Sequence, residues 1–305
     1  MLTGQWPGRP IVKYDRLMNL PTIAWLAALL ASSTTALATP AQQATRPAVA
    51  EVASGTLHLK GLIWTPAGTG PFPAVLFNHG RSDRPQQQTG TLTNTAAANV
   101  LGPVFAKHGY VFLYLFRRGE GLSADQGPFI GEQLDRAEIA GGAQARMQLQ
   151  YQLLTTDHLQ DGLAGLQYLK NLRMVDANRV AVAGHSFGGQ ITLLEAERDP
   201  AVRAVITFGA AANSWNKSAE IRASMLSTIG AIAAPLLIMH AANDYSTAPG
   251  LALAEERARL SKPCVLKIYP PVGPSAGAGH NFIYSDVGLW EDDVFRFLDQ
   301  HLKAR

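Results

Sequence analysis

After residue 50 the chain alternates short, β-rich apolar runs with longer stretches whose apolar residues recur at helical spacing. The runs are AVLF (74–77), YVFLYLF (110–116), RVAVA (179–183), AVITF (204–208), PLLIMH (235–240) and VLKIY (265–269). Leu159, Leu163, Leu166 and Leu169 mark one of the helical stripes between them. Runs this rich in apolar residues, without polar alternation, belong to strands covered on both faces. Strands joined through helices pair in parallel, so the pattern predicts an α/β fold, a mostly parallel sheet flanked by helices on both faces. At 305 residues, 47% of them hydrophobic, the chain can bury one large core. An opening antiparallel pair is expected to include residues 56–64, and a terminal helix to span 286–302.

Three segments fall outside this rhythm. Residues 1–38 combine Arg9, Lys13 and Arg16 with the apolar stretch 23–31 and the triplet Ala36-Leu37-Ala38. That is the pattern of a secretory signal cleaved after Ala38, which predicts a secreted or periplasmic protein. The apolar stretch is shorter than the roughly 20 residues a spanning helix needs, so no stable membrane insertion is expected after cleavage. Residues 39–49 read as a flexible lead-in and 50–305 as the folded domain. Between 117 and 153, glycine-rich RRGEGLSADQGPFIGE and a polar, helix-compatible stretch form a connection longer than such units need, read as a cap or rim insertion over a site.

The formal net charge of +3 owes much to the first segment, and the remainder is close to neutral, which gives no electrostatic case for nucleic acid as a partner. The single cysteine, Cys264, sits in a strand-like run, excludes an intrachain disulfide and reads as a small buried hydrophobe. The histidines are dispersed and no HExxH occurs, so neither a metal nor another cofactor is expected. No motif of the chain fixes an oligomeric state.

The chemistry concentrates at GHSFGG, residues 184–189, between the strand RVAVA and the helical QITLLEAE. Gly184-His185-Ser186-Phe187-Gly188 fits G-x-S-x-G in the strand-turn-helix context that pattern requires. Glycines at so tight a turn let Ser186 project above the carboxyl edge of the sheet, while the following helix aims its first N–H groups at developing negative charge. A serine hydroxyl needs a base, and the base needs a group that holds its tautomer; in this architecture the chain order is nucleophile, acid, histidine. Asp199 follows the helix and falls at the wrong end of the sheet, whereas Asp244 comes four residues after PLLIMH, at the carboxyl edge. His280, in the loop GAGHNF, is the base; His301 lies in the last helix, and His185 and His240 read as packing and structure. For the oxyanion, the expected donors are the backbone N–H groups of Phe187 and Arg81, with Ser82 in reserve. Phe187, Trp215 and Tyr245 are candidates for pocket walls but read more simply as core, and Arg117 and Arg118 read as a solvated rim or a structural ion pair rather than a site for an anionic substrate.

DANRVAVAGHSFGG, with NHGRSD upstream and HAANDYS and GAGHNF downstream, resembles the α/β-hydrolase superfamily, and within it the dienelactone hydrolase and prolyl-oligopeptidase-like esterase branch. The resemblance runs over about residues 50–303 and implies an eight-stranded sheet with nucleophile Ser186, acid Asp244 and base His280. One departure matters: the namesake dienelactone hydrolases use cysteine as nucleophile, and this chain has serine at that position. The function expected from the sequence is a serine hydrolase that cleaves small-molecule carboxylic esters through an acyl-enzyme. The alternatives are a peptidase or amidase of the same fold, and a binding protein that keeps the elbow without turnover.

Overall fold

The structure, a computed structural model, describes residues 46–82 and 93–303. The secretory signal and most of the lead-in expected from the sequence lie outside the described residues. Strand β1 (Ala48–Ser54) already begins within the stretch read as lead-in, because Ala48 and Val49 pair with Ile63 and Leu62 of β2 (Leu57–Trp64). Strand β3 (Phe72–Asn78) and helix α1 (Asn94–Lys107) follow, then β4 (Val111–Leu115) and a single 3-10 turn at Gly121–Ser123. Helix α2 (Ile130–Thr155) changes direction at Gly141 and Gly142, where Gly142 has φ +72°, and α3 (Asp157–Lys170) returns the chain to the sheet. The regular units β5 (Val175–His185) with α4 (Phe187–Arg198), β6 (Ala204–Phe208) with α5 (Ala219–Ala231), and β7 (Leu236–Ala241) with α6 (Ala248–Arg259) come next. Strand β8 (Cys264–Tyr269), two short helices α7 (Ala276–His280) and α8 (Phe282–Ser285), and α9 (Val287–Leu302) close the chain.

Among the described residues the strands form one eight-stranded sheet in the order β1-β2-β4-β3-β5-β6-β7-β8. Strand β2 runs antiparallel to both of its neighbours, and the pairs from β4 through β8 are parallel. Alternation along each strand sorts side chains to two cores. Phe112 and Tyr114 of β4, with Phe77, Ile206 and Phe208, meet Leu101 and Phe105 of α1 and Trp290, Val294 and Leu298 of α9. Leu113 and Leu115, with Leu76, Val182 and Ile238, meet Leu166 and Leu169 of α3, Leu193 of α4 and Ile221 and Ile229 of α5. Phe105 stacks on Phe112 at 4.4 Å between ring centroids. Each such fully buried ring contributes roughly 1.5–3 kcal/mol against its exposed state. Two-sided cover is therefore what the uninterrupted apolar strands required. Strand β8, at the edge, is the exception: Val265 and Ile268 are exposed.

Candidate active site

Parallel strands that all end on one side put their following loops at one rim, and the site is built there. At the end of β5 the chain turns into α4 through Ser186, which has φ +55° and ψ −117°. That backbone is strained for any residue with a side chain. The neighbours make the turn possible: a Cβ on Gly184 would stand 2.4 Å from the Thr192 hydroxyl, and one on Gly188 2.1 Å from the Asn78 carbonyl oxygen. Ser186 N–H donates to the Phe208 carbonyl at 2.8 Å, tying the elbow to β6.

Asp244 sits in the turn after β7, and the loop after β8 carries His280 back over the same rim. The Asn243 amide fixes that loop: Nδ2 donates to the carbonyls of Val272 at 3.0 Å and Ser275 at 3.1 Å, and Oδ1 accepts from Val272 N–H at 2.9 Å. Ser275 caps α7 by accepting from Ala278 N–H at 3.1 Å, and the single turn ends on His280. His280 Nδ1 donates to Asp244 Oδ1 at 2.7 Å, and Ser186 Oγ donates to His280 Nε2 at 2.8 Å. The structure thus brings Ser186, His280 and Asp244, 94 and 36 residues apart along the chain, into one hydrogen-bonded line.

Two histidines brace that line. His240 Nδ1 donates to Asp244 Oδ2 at 2.9 Å, and Tyr245 N–H donates to Oδ1 at 2.7 Å, so both carboxylate oxygens are engaged. Burial pushes the Asp244 pKa up, but the hydrogen bonds from His240 and His280 and their charges outweigh it and hold the group at about 2. His185 Nε2 donates to the His280 carbonyl at 2.9 Å and its Nδ1 accepts from the Tyr284 hydroxyl at 3.3 Å. Burial, followed by the nearby His280, lowers the His185 pKa to about 3, which keeps that imidazole neutral. His185 and His240 read from sequence as packing and structure; both are buried as expected, and each also holds one member of the line. Gly209, at φ +58°, was not singled out by the sequence: a Cβ there would lie 3.0 Å from both Asp244 Oδ2 and His280 Nδ1. A glycine at the end of β6, beside the elbow, was the available signal.

The loop after β3 passes against Ser186, with a Cβ on Gly80 3.3 Å from the Ser186 Cβ. Arg81 and Phe187 both line the cleft above Ser186, which has a volume of about 1260 Å³. Met147 and Gln150 of α2 also face this cleft, as do Tyr245 and Tyr284. Trp215 is in the core under α5 rather than at the cleft. Arg118 pairs with Asp161 at 2.7 Å and Asp157 at 3.0 Å, a structural ion pair. Arg117 is no part of a solvated rim: it is fully buried beneath Phe187, with 5.6 Å between its guanidinium carbon and the ring centroid. Among the described residues no group of three or more His, Cys, Asp or Glu side chains is placed to hold a metal ion, and no helix is long and apolar enough to cross a membrane.

A mostly parallel eight-stranded sheet, a serine elbow after β5 and an acid and histidine delivered after β7 and β8 define an α/β-hydrolase. The chain belongs to the dienelactone hydrolase family, whose model matches residues 85–289. No curated protein matches the sequence. Among solved structures the chain is similar to Pyrococcus horikoshii acylaminoacyl peptidase, with a TM-score of 0.59 and 17% identity over 85% of this chain and 42% of that one. It is also similar to a putative dienelactone hydrolase from Klebsiella pneumoniae, with a TM-score of 0.57 and 15% identity over 84% of this chain and 98% of that one. A puromycin-hydrolyzing peptidase from Mycobacterium tuberculosis gives a TM-score of 0.58 at 17% identity, over 85% of this chain and 40% of that one. The chain therefore spans less than half the length of the two peptidases, and at these identities the likeness is one of fold.

These findings correct the functional expectation. A serine esterase confined to carboxylic esters is narrower than what family and fold define, which is a hydrolase. The family assigns neither serine as nucleophile nor ester as the bond cleaved, and a buried His280–Asp244 pair serves cysteine triads as well as serine ones. The chain's one thiol, Cys264, is at the first residue of β8, in register with Leu236; Tyr269, at the rim, is in register with Ala241. Five residues of strand at about 3.3 Å each separate the two ends of β8. Burial raises the Cys264 pKa to about 11.

Proposed function

We propose that the protein is an acyl hydrolase, acting on an ester, lactone or amide, in which Ser186 is the attacking group, His280 the general base and acid, and Asp244 the group that fixes the imidazole. The observation that carries this reading is the 2.8 Å contact of Ser186 Oγ with His280 Nε2, at the position a nucleophile must occupy. Ser186 Oγ adds to the acyl carbon as its proton passes to His280 Nε2, and the carbonyl electron pair moves onto oxygen. This reading assigns the N–H groups of Phe187 and Arg81, both of which line the cleft, to that oxygen. Collapse expels the leaving group, which takes the proton from His280; water then repeats the sequence in reverse, releasing the acid and restoring Ser186. Asp244, kept ionised by its two histidine donors, orients the ring and balances its transient positive charge.

The test compares two single variants on a short-chain aryl ester. Ser186→Ala is expected to lower kcat by roughly a thousandfold or more with the fold intact, since this reading makes it the group that bonds to substrate. Cys264→Ala is expected to leave kcat within about twofold, because the thiol lies at the far end of its strand. Loss of turnover in Cys264→Ala with retention in Ser186→Ala would assign the reaction to a cysteine triad instead. Matched ester, lactone and amide substrates then define the bond. The leader-like segment 1–38 supports export, and N-terminal sequencing of the mature protein, expected to begin at Thr39, checks it.

A further inference from the structure

One buried guanidinium touches the elements that supply both expected oxyanion donors. Arg117 comes just after Phe116, the residue that follows β4, and its side chain is fully buried. Its Nη1 donates to the His79 carbonyl at 2.8 Å, and its Nη2 lies 3.4 Å from the Gly80 carbonyl. These carbonyls belong to the two consecutive peptide units that end at the Arg81 nitrogen. The Gly80 oxygen also accepts from His79 Nδ1 at 2.6 Å, while His79 Nε2 accepts from Arg117 N–H at 3.3 Å, so imidazole and guanidinium grip the same peptide from below. The same guanidinium underlies the Phe187 ring at 5.6 Å.

A trans peptide points its C=O and N–H in opposite directions. Anchoring the Gly80 oxygen into the protein therefore turns the Arg81 N–H outward, toward the cleft that Arg81 lines with Ser186. Hydrogen bonding at the oxygen also polarises the amide and strengthens its N–H as a donor. The β3 loop also packs closely on the elbow: a Cβ on Gly188 would strike the Asn78 and His79 carbonyls at 2.1 and 2.3 Å, and one on Gly80 would stand 3.3 Å from the Ser186 Cβ. Glu120, which accepts from Ser82 and Asn94 at 3.1 Å each and lies 3.3 Å from His79 Nδ1, supplies a buried carboxyl beside the cation.

We infer that Arg117 is a positioning residue for the oxyanion hole: by holding the His79 and Gly80 carbonyls and supporting Phe187, it preorganises the two N–H donors of Arg81 and Phe187. This inference rests on the acyl-hydrolase reading above, and it gives Arg117 no contact with substrate. A charged but unforked replacement is the discriminating change, because lysine keeps the cation and cannot hold two carbonyls in one plane.

The experiment uses the full chain as wild type, Arg117→Lys and Arg117→Met, with each preparation titrated at Ser186 by a fluorophosphonate so that rates are per reactive site. In Arg117→Lys, kcat on a short-chain aryl ester is expected to fall about tenfold to a hundredfold, with KM within about threefold. Affinity for an aryl trifluoromethyl ketone, whose adduct places an oxyanion in the hole, is expected to fall by the same factor as kcat. Arg117→Met is expected to lose at least as much in both readouts. Unchanged per-site kcat and ketone affinity in Arg117→Lys, with wild-type labelling at Ser186, overturn the inference alone. A variant that loses only folded fraction, read from its thermal midpoint, while its titrated sites keep the wild-type kcat also overturns it. Absence of labelling at Ser186 in the wild type removes the serine reading and this inference together.

Discussion

At the scale of the residue, the site depends on positions where a side chain cannot be afforded. Ser186 itself sits at φ +55°, and the glycines around it admit the carbonyls and hydroxyl that close the elbow. Gly209 does the same for Asp244 and His280. An alanine there meets a left-handed backbone, a strain of about 1–2 kcal/mol, and puts a methyl 3.0 Å from Asp244 Oδ2 and His280 Nδ1. Gly209→Ala is expected to lower kcat roughly tenfold to a hundredfold through displacement of His280, since misplacement by about 1 Å can cost a hundredfold. Steady-state kinetics on titrated sites, with circular dichroism as the check on fold, measures it. The three positions of the hydrogen-bonded line, Ser186, Asp244 and His280, were legible because chain order and strand ends constrain them. His185, His240, Asn243 and Gly209 carried no such order, and their roles depend on which atoms lie opposite them.

At the scale of the element, α1 shows how close helix and sheet stand. Gly102 lies in the helix interior, where alanine is normally better by about 1 kcal/mol. Its Cβ, however, would overlap the Trp64 ring at 2.1 Å. Overpacking of this kind outweighs the propensity gain, so Gly102→Ala is expected to destabilise by roughly 1–3 kcal/mol, read as a lower denaturant midpoint with an unchanged m-value. The strands were the most legible elements, because central parallel strands are apolar along their whole length. The 117–153 connection was legible only as an excess of length. Its division into a turn at Gly121–Ser123 and a helix that bends at Gly141 and Gly142 depends on two glycines whose backbone the sequence leaves free. Arg146 bonds back across that bend to Asp135 at 2.7 Å and Glu138 at 2.9 Å.

At the scale of the whole molecule, the rim is supported by a buried polar layer between β3, α3 and α4. Glu195 Oε2 accepts from Asn78 Nδ2 at 2.7 Å, and Asp161 bonds Ser54 at 2.7 Å as well as Arg118. Burial raises the Glu195 pKa from 4.5 to about 8, against the lowering effect of Asn78 and Arg117. The folded chain therefore keeps a proton that the unfolded chain releases above pH 4.5. Stability from this group is fully present below that value and is lost as pH rises to about 8. In Glu195→Gln the loss is expected to vanish: thermal midpoints of wild type should fall by a few degrees relative to the variant between pH 5 and 8. Parallel slopes for the two proteins would show that Glu195 does not titrate in that window.

The sequence by itself determined the α/β layering, the elbow at Ser186 and the order in which Asp244 and His280 follow it. Hydrophobic runs, glycine spacing and chain order are local or one-dimensional, and they survive in the letters. Only the tertiary structure decided that Arg117 is buried under the loop after β3, that Cys264 stands at the opposite end of its strand from the His280 imidazole, and that two further histidines brace Asp244 and His280. Each of these depends on which side of a strand or loop a residue faces once segments scores of residues apart have packed together. That is settled by the closing of the core, because a buried charge or imidazole persists only where partners from other segments meet it.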